Sequence, residues 1–367
     1  MAILVLNLGS SSLKAALFEP SSLRSLWSGS ASCGSDGPTA LLQSWLGPQL
    51  EPWWPRIEQV GHRVVHGGER FSAPTLLTAE VLGELKALGE LAPLHNPPAL
   101  AAIDWFLGKH PQLTQWACFD TAFHASLPPE AYSYALPEAW RQQGLRRFGF
   151  HGINHQHVAE QATESWHAQG HTTAPRLISC HLGAGCSLAA ISGGRSIDTT
   201  MGFTPLDGLV MASRSGSVDP GLLLHQLRQG LSAAELEQVL NHASGLLGLS
   251  GLSSDWRELR QAAARGHGGA QLALAVFIHR LKAGIAAMAA SLGGVDLIAL
   301  SGGIGARDQE LLVQLQEELA WMGQPHWLQV AADEERMIAR LIQRERFSDP
   351  ADPGSDAAGG SSAGDRH

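Results

Sequence analysis

Residues 2–20 read AILVLNLGSSSLKAALFEP, and residues 179–192 read SCHLGAGCSLAAIS. In each, an apolar strand runs into a small polar turn and a second apolar strand runs out. Set against VLNLGSSSLKAALF at residues 5–18, the later stretch aligns with one inserted residue, about half a chain away. A strand–turn–strand repeated at that distance predicts a duplicated α/β domain that opens on a β-hairpin. The first copy also places Asn7, Ser10, Ser12 and Lys14 around the tip of an otherwise apolar hairpin.

Outward from these hairpins the elements alternate. IEQVGHRVVHGGERF (57–71) reads as a strand closing on a Gly-Gly turn. In TAEVLGELKALGELA (78–92), Leu82, Leu85, Leu88 and Leu91 recur every third residue, which predicts a helix. PLHNPP must stop it. QWACFDTAF (115–123) is an apolar strand that delivers Asp120 at its C-terminal end. A long helix over 269–294, a strand into glycines over 295–305 and an amphipathic helix over 309–322 follow. A short strand (326–331) and a last helix (333–347) complete the pattern. Residues 34–56, rich in Pro, Gly and Trp, read as an irregular connection. Residues 349–367 are low-complexity and read as a disordered tail.

Composition narrows the function classes. With 367 residues, 44% hydrophobic and 16% charged, the chain can bury two cores. A net charge of -9 without a basic block argues against nucleic acid and anionic membrane as partners. No run of about 18 apolar residues predicts a membrane span, and the start lacks the basic n-region of a signal peptide. Cys33, Cys118, Cys180 and Cys186 form no CxxC pair, which fits a reducing, cytoplasmic setting.

Three strand-to-glycine turns, Gly9–Ser12, Gly183–Gly185 and Gly302–Gly305, can aim backbone N–H groups at an anion. One such turn alone is ordinarily a plain hairpin. Three in a duplicated α/β chain fit a nucleotide held in a cleft between two related domains. Neither GxxxxGK[ST] nor GxGxxG is present, so no P-loop or Rossmann site is indicated. Lys14 is either a solvated edge charge or a phosphate contact. Arg63 sits between apolar positions and Arg214 in the Ser/Gly loop MASRSGSVDP. Each could pair with a buried carboxylate, but together they match a carboxylate and a phosphoryl group, which the guanidinium fork suits. FGFHGINHQH carries His151, His155 and His157 with no cysteine or carboxylate to complete a zinc set. One of them acting as a neutral hydrogen-bond donor is the better reading. His95, in PLHNPP, reads on its own as a turn residue.

The chain resembles the acetate kinase family (acetate and propionate kinases), within the actin-like, sugar-kinase-like ATPases. The matching stretches are LVLNLGSSSLK, GHRVVHGGERF, APLHNPPAL, FDTAFHASLP, RRFGFHGINH, the long run from Cys180 to Pro220, SGLLGLSGLSSDWRELR, SGGIG and DEERMIAR, in the family's order over residues 2–340. The resemblance implies two ribonuclease H-like (actin-like ATPase) α/β domains flanking a nucleotide cleft. Residues 1–125 plus 335–348 would form the first, and 126–334 the second. It implies Mg-dependent phosphoryl transfer from ATP to acetate, giving acetyl phosphate and ADP, in a homodimer. Arg63 and Arg214 would hold the carboxylate and the phosphoryl group, His151 would stabilise the phosphoryl in flight, His95 would help line the site and Asp120 would be the catalytic carboxylate. Asn7 and Glu334 would hold Mg²⁺ (or Mn²⁺), largely through water. Ser10, Ser12 and Lys14 would face the phosphates. The turn His181, Leu182, Gly183, Ala184 and Gly185 would take ATP/ADP together with Asp255, Trp256 and Arg257 and with Gly303, Ile304, Gly305, Ala306 and Arg307. Val65, Leu94, Phe150 and Pro205 would enclose the acyl methyl. The chain departs from the family at Ala184, where Asn is usual, and at Ala306 and Arg307, where Glu and Asn are usual. Propionate as acceptor, pyrophosphate as donor, and a non-catalytic acyl-phosphate-binding protein are the alternatives.

Overall fold

The computed structural model describes residues 1–9, 12–32, 37–91 and 96–348. Ser10, Cys33, Leu94, His95 and the 349–367 segment lie outside them. One sheet contains β1 (Ala2–Leu8), β2 (Ser12–Phe18), β3 (Ser25–Ser32), β4 (Ile57–Val64), β5 (Thr75–Leu76) and β6 (Thr114–Phe119), in the order β3-β2-β1-β4-β6-β5. The other contains β7 (Leu177–Leu182), β8 (Cys186–Ser192), β9 (Arg195–Thr199), β10 (Leu297–Ser301) and β11 (His326–Gln329), in the order β11-β10-β7-β8-β9. Read from its other edge, the second sheet repeats the first: β9-β8-β7-β10-β11 falls on β3-β2-β1-β4-β6. In both, the first three strands pair antiparallel and the next two join in parallel. The fold is the two-domain actin-like ATPase fold.

The register locates the one-residue offset between the two hairpins. Leu8 faces Leu13 and Asn7 faces Lys14; Leu182 faces Cys186 and His181 faces Ser187. The second turn is therefore one residue shorter, and the offset lies inside the turn. Lys14 and Ser187 hold equivalent positions.

Strand periodicity sorts the cores. All seven residues of β1 are buried. Leu4 and Leu6 face a cluster with Leu42, Leu46, Leu50 and Phe106. Ile3 and Val5 face the other way, onto Met337, Ile338 and Ile342 of the C-terminal helix Glu334–Ser348. Gly61 lets that helix close on β4, because a Cβ there would lie 2.5 Å from Ile342 Cδ1. The helix Gly152–Ala168 joins the halves: Ile153 packs with β1 and the C-terminal helix, while Val158, Ala162 and Trp166 pack with β7, β8 and β10.

Two expectations about elements change. Residues 37–50 are helical rather than irregular, because Leu42, Leu46 and Leu50 recur at helical spacing and are wholly buried. Trp45, Trp53 and Trp54 pack against their cluster. The helix Gly268–Leu292 is long and apolar enough, by length and composition, to cross a bilayer. Its Ala273, Phe277, Leu281 and Ile285 are buried with Leu188 and Ala190 of β8 in the core beneath the second sheet.

Candidate active site

The parallel ends of β1, β4 and β6 bring three side chains together. Arg63 Nε donates to Asp120 Oδ1 at 3.0 Å, and Nη2 donates to Asp120 Oδ2. Arg63 Nη1 donates to Asn7 Oδ1 at 3.1 Å. Asn7 Nδ2 in turn donates to Glu334 Oε2 at 2.9 Å and Glu335 Oε1 at 2.8 Å, at the start of the C-terminal helix. Asp120 is 2% exposed, so the bidentate pair is shielded from solvent. Burial pushes its carboxyl up, and the Arg63 guanidinium pulls against that. Burial also opposes the charge on Arg63, but Asp120, Glu334 and Glu335 outweigh it and hold the guanidinium protonated. Glu334 is held below the usual carboxylate range: burial opposes its ionisation, and Arg63, His181 and Lys14 overcome that.

His151 enters from the second half. It precedes the helix Gly152–Ala168 with a left-handed φ of 57°. Gly152 N donates to the Asp120 carbonyl at 2.8 Å, and a Cβ on Gly152 would lie 2.2 Å from that oxygen. Only glycine admits this approach, which locks His151 beside the Arg63–Asp120 pair. His124 Nε2 lies 3.0 Å from the Phe150 carbonyl and fixes the residue before it. The His151 ring stacks on His181 with centroids 4.2 Å apart. Burial, then the neighbouring His181, His155, Arg63 and Arg214, hold His151 far below the usual histidine range and so neutral.

Gly185 lies between the two remaining groups. A Cβ there would fall 3.0 Å from Arg214 Nη2 and 3.1 Å from His151 Nε2. Arg214 Nη1 donates to the Pro205 carbonyl at 2.7 Å, and burial lowers its pKa. The loop carrying it is tied to the second glycine turn, where Ala212 N donates to the Ala184 carbonyl at 3.1 Å. Val65 and Phe150 are buried in one cluster, and Pro205 is buried nearby in the chain's Arg214-bound loop.

A cavity of about 830 Å³ opens beside this group. Gly183 and Ala184 line it with Asp255, Trp256, Arg257, Gly303, Ile304 and Arg307, all named from the sequence. Their parts differ. Asp255 caps the helix Trp256–Ala264, accepting from Arg257 N at 2.8 Å and Glu258 N at 3.2 Å. Trp256 is core: its indole N–H donates to Asp308 and its ring packs on Phe277. Arg257 is exposed and pairs with Asp255. Arg307 is exposed at the cavity wall. Leu182 is fully buried, the Gly305 carbonyl accepts from Gln329 Nε2 and Ala306 N donates to the Gly302 carbonyl; none of these three residues lines the cavity. Lys14 is exposed, facing Asn7 across the first hairpin, and Ser12 begins β2.

His155 and His157 do not join His151 at a metal. His155 sits between Ser179 and Ser187, and His157 Nε2 lies 3.2 Å from the Ala331 carbonyl. Among the described residues no group of three His, Cys, Asp or Glu side chains forms a metal cage. The corner made by Asn7, Glu334 and Glu335 offers hard oxygen donors, which suits a cation that keeps most of its waters and leans on substrate phosphates.

Sequence reasoning missed Asn96. It clamps the loop after Arg63, taking His66 N on Oδ1 and giving Nδ2 to the His66 carbonyl, both at 3.1 Å. The Asn-Pro-Pro run was its only signal. Gly152 was also missed, although the paired glycines around His151 marked an obligatory backbone.

The Acetokinase family model matches residues 39–345. The acetate kinase of Synechococcus sp. (strain JA-2-3B'a(2-13)) is 46% identical over 357 residues, covering 88% of each chain. That of Deinococcus radiodurans is 47% identical over 347 residues, covering 88% of this chain and 87% of its own. A propionate kinase structure from Francisella tularensis superposes with a TM-score of 0.85 at 34% identity, over 93% of this chain and 98% of its own. The Porphyromonas gingivalis acetate kinase gives 0.83 at 33% identity, over 92% and 98%. With these matches along nearly its whole length, the chain belongs to the acetokinase family.

Proposed function

We propose that this chain is an acetate kinase, a phosphotransferase that moves the γ-phosphoryl group of ATP to an acetate oxygen and forms acetyl phosphate and ADP. The observation that carries the reading is the convergence of Arg214 and neutral His151 on Gly185, with Arg63 held by Asp120 and Asn7 close enough to act on both, beside a cavity lined by Gly183 and Ala184. Phosphoryl transfer between two oxygens needs little covalent help. It needs two mutually repelling anions held in line and charge neutralised on the equatorial oxygens.

Arg63 and Arg214 supply fixed positive charge, and His151 supplies a neutral donor. Asp120 already gives both oxygens to Arg63. Its task is to hold that guanidinium, since acetate is ionised at pH 7 and needs no base. Buried Val65, Phe150 and Pro205 would wall the space for the acyl methyl group. Asn7 and Glu334, with Glu335, would hold Mg²⁺ through water; the ion would neutralise phosphate oxygens. The segments 1–125 with 335–348, and 126–334, would act as two bodies whose closure excludes water.

We also read the protein as a cytoplasmic homodimer. Three buried thiols, Cys118, Cys180 and Cys186, suit a reducing compartment. The helices Pro220–Arg228 and Ala233–His242 bury no residue and expose Leu222, Leu224, Leu227 and Val239, as an interface would.

A hydroxamate assay for acyl phosphate, run with ATP, GTP and pyrophosphate against acetate, propionate and butyrate, tests the reading. ATP with acetate should be best and propionate used weakly, because one methylene is worth about 1–3 kcal/mol. Pyrophosphate outperforming ATP would favour a different donor, the reading that Ala184 and Arg307 support. Absence of acyl phosphate with every donor would overturn the assignment.

A further inference from the structure

We propose that Ser179, His155 and Ser187 form a one-way hydrogen-bond relay that fixes His151 as the Nε2–H tautomer, aimed at the transferring phosphoryl group. The proposal rests on His151 being the donor in the function proposed above.

The chain of contacts is continuous and buried. Ser179 Oγ lies 2.8 Å from His155 Nδ1, and His155 Nε2 lies 2.8 Å from Ser187 Oγ. Ser187 Oγ lies 2.9 Å from His151 Nδ1. Ser179, His155 and Ser187 are all 0% exposed. Burial holds both imidazoles neutral, so each has one donor and one acceptor nitrogen. A hydroxyl between two imidazoles can donate to only one of them. If both imidazoles donated to Ser187 Oγ, its own buried O–H would have no acceptor; the relay that uses this hydrogen therefore has two directions, and they send opposite tautomers to the active site.

The far end decides the direction. Suppose His151 Nδ1–H donated to Ser187. Ser187 would then donate to His155 Nε2, and His155 Nδ1–H to Ser179. The Ser179 O–H would then be left buried without an acceptor, since among the described residues its Oγ meets only His155. Leaving a buried donor without an acceptor forfeits its hydration with nothing in return. In the other direction every hydrogen is used: Ser179 O–H to His155 Nδ1, His155 Nε2–H to Ser187, and Ser187 O–H to His151 Nδ1. His151 Nε2 then carries its hydrogen beside Gly185 and Arg214. A lone pair at that position would face phosphoryl oxygens and repel them. Ser187, His155 and Ser179 are thus positioning residues: none touches substrate, and each acts through the His151 tautomer.

Long-range ¹H–¹⁵N spectra of histidine-labelled enzyme read the tautomers directly, without turnover. In the free wild-type protein, His151 and His155 should both carry hydrogen on Nε2. Ser187→Ala should release the constraint, so that His151 shows Nδ1–H character and kcat falls roughly tenfold or more, with both KM values within about twofold. His155→Gln, whose amide N–H can still reach Ser187, should retain most of kcat; His155→Met, of similar bulk, should not. A wild-type His151 protonated on Nδ1, or a Ser187→Ala enzyme with unchanged kcat, would overturn the relay. His151→Asn with wild-type turnover would instead overturn the donor role on which the proposal rests, whatever tautomer the spectra report.

Discussion

Arg63 and Arg214 look alike in sequence and differ in what their loss should do. Arg63 neutralises Asp120, a carboxylate that is 2% exposed. Arg63→Ala would strand that group, and breaking a buried pair costs about 3–5 kcal/mol. Its loss of activity should therefore come with a large fall in the thermal midpoint. Arg214 donates from Nη1 to the Pro205 carbonyl, and its Nη2 faces Gly185. Arg214→Ala should cost at least ~100-fold in turnover with a midpoint close to wild type. Near-wild-type turnover in that variant would show that Arg214 does not meet the phosphoryl group. Ala184 offers the converse experiment. It is exposed on the cavity wall, and its carbonyl is held by Ala212 N, so a larger side chain can enter the cavity without moving the turn. Ala184→Asn should lower the KM for ATP by about tenfold, the worth of one charge-assisted contact of roughly 1.5 kcal/mol, and leave the KM for acetate within twofold. An unchanged or higher ATP constant would mean that the site is built for another donor.

At the scale of elements, position on a helix separates capping from binding. Asp255 is named by the nucleotide motif, yet both of its backbone contacts serve the helix Trp256–Ala264. Asp255→Ala should cost about 1 kcal/mol of stability, measured by urea unfolding, as for other caps. A variant with unchanged stability but weakened nucleotide binding would put Asp255 on the ligand instead. The two hairpins were legible because their strands are buried on both faces and read as unbroken apolar runs. β3 was not, because its SLWSGSAS alternates around serines and a glycine at a sheet edge, with no apolar stripe to mark it. The helical turns over 37–50 were hidden by their Pro and Gly content, although Leu42, Leu46 and Leu50 kept the period. In the site, Arg63, Asp120, His151 and Arg214 stood in motifs that could be read one by one. The contacts among them could not. Asp120 and Gly152 are 32 positions apart, and Ser187 meets His151 across 36. Such pairings follow from which strand ends the sheets place side by side, which no local pattern encodes.

Buried histidines in both halves give the stability of the whole molecule a direction in pH. His62 and His124 are 1% and 0% exposed, and burial pulls each from 6.5 down to about 4, against hydrogen bonds to Gln115 and the Phe150 carbonyl. Burial likewise lowers His151, His155 and His181. A histidine with a depressed folded pKa binds its proton more readily when the chain is unfolded. Between pH 6.5 and about 4 the unfolded chain therefore takes up protons that the native chain excludes, and stability falls as pH falls through that window. Above pH 7 the stabilisation is fully present. Each excluded proton contributes a slope of about 1.4 kcal/mol per pH unit, so His62 and His124 together put roughly 3 kcal/mol at risk for each unit below 6. The ion pairs of Glu160 with Arg340 and Arg344, which tie the Gly152–Ala168 helix to the C-terminal helix, should fail later. That carboxyl lies below 4.5: burial raises it, but Arg344 and Arg340 lower it further. Acid unfolding should therefore begin with histidine protonation, before the carboxylates between the helices titrate. Urea midpoints measured from pH 8 to pH 4.5 should be flat above 7 and drop steeply below 6.5. His62→Gln, which can still donate to Gln115, should remove about one proton from that slope while leaving the plateau above pH 7 nearly unchanged. A wild-type midpoint that stays level down to pH 5 would mean that the buried imidazoles are charged or solvated in the native protein, and that carboxylates alone set its acid limit.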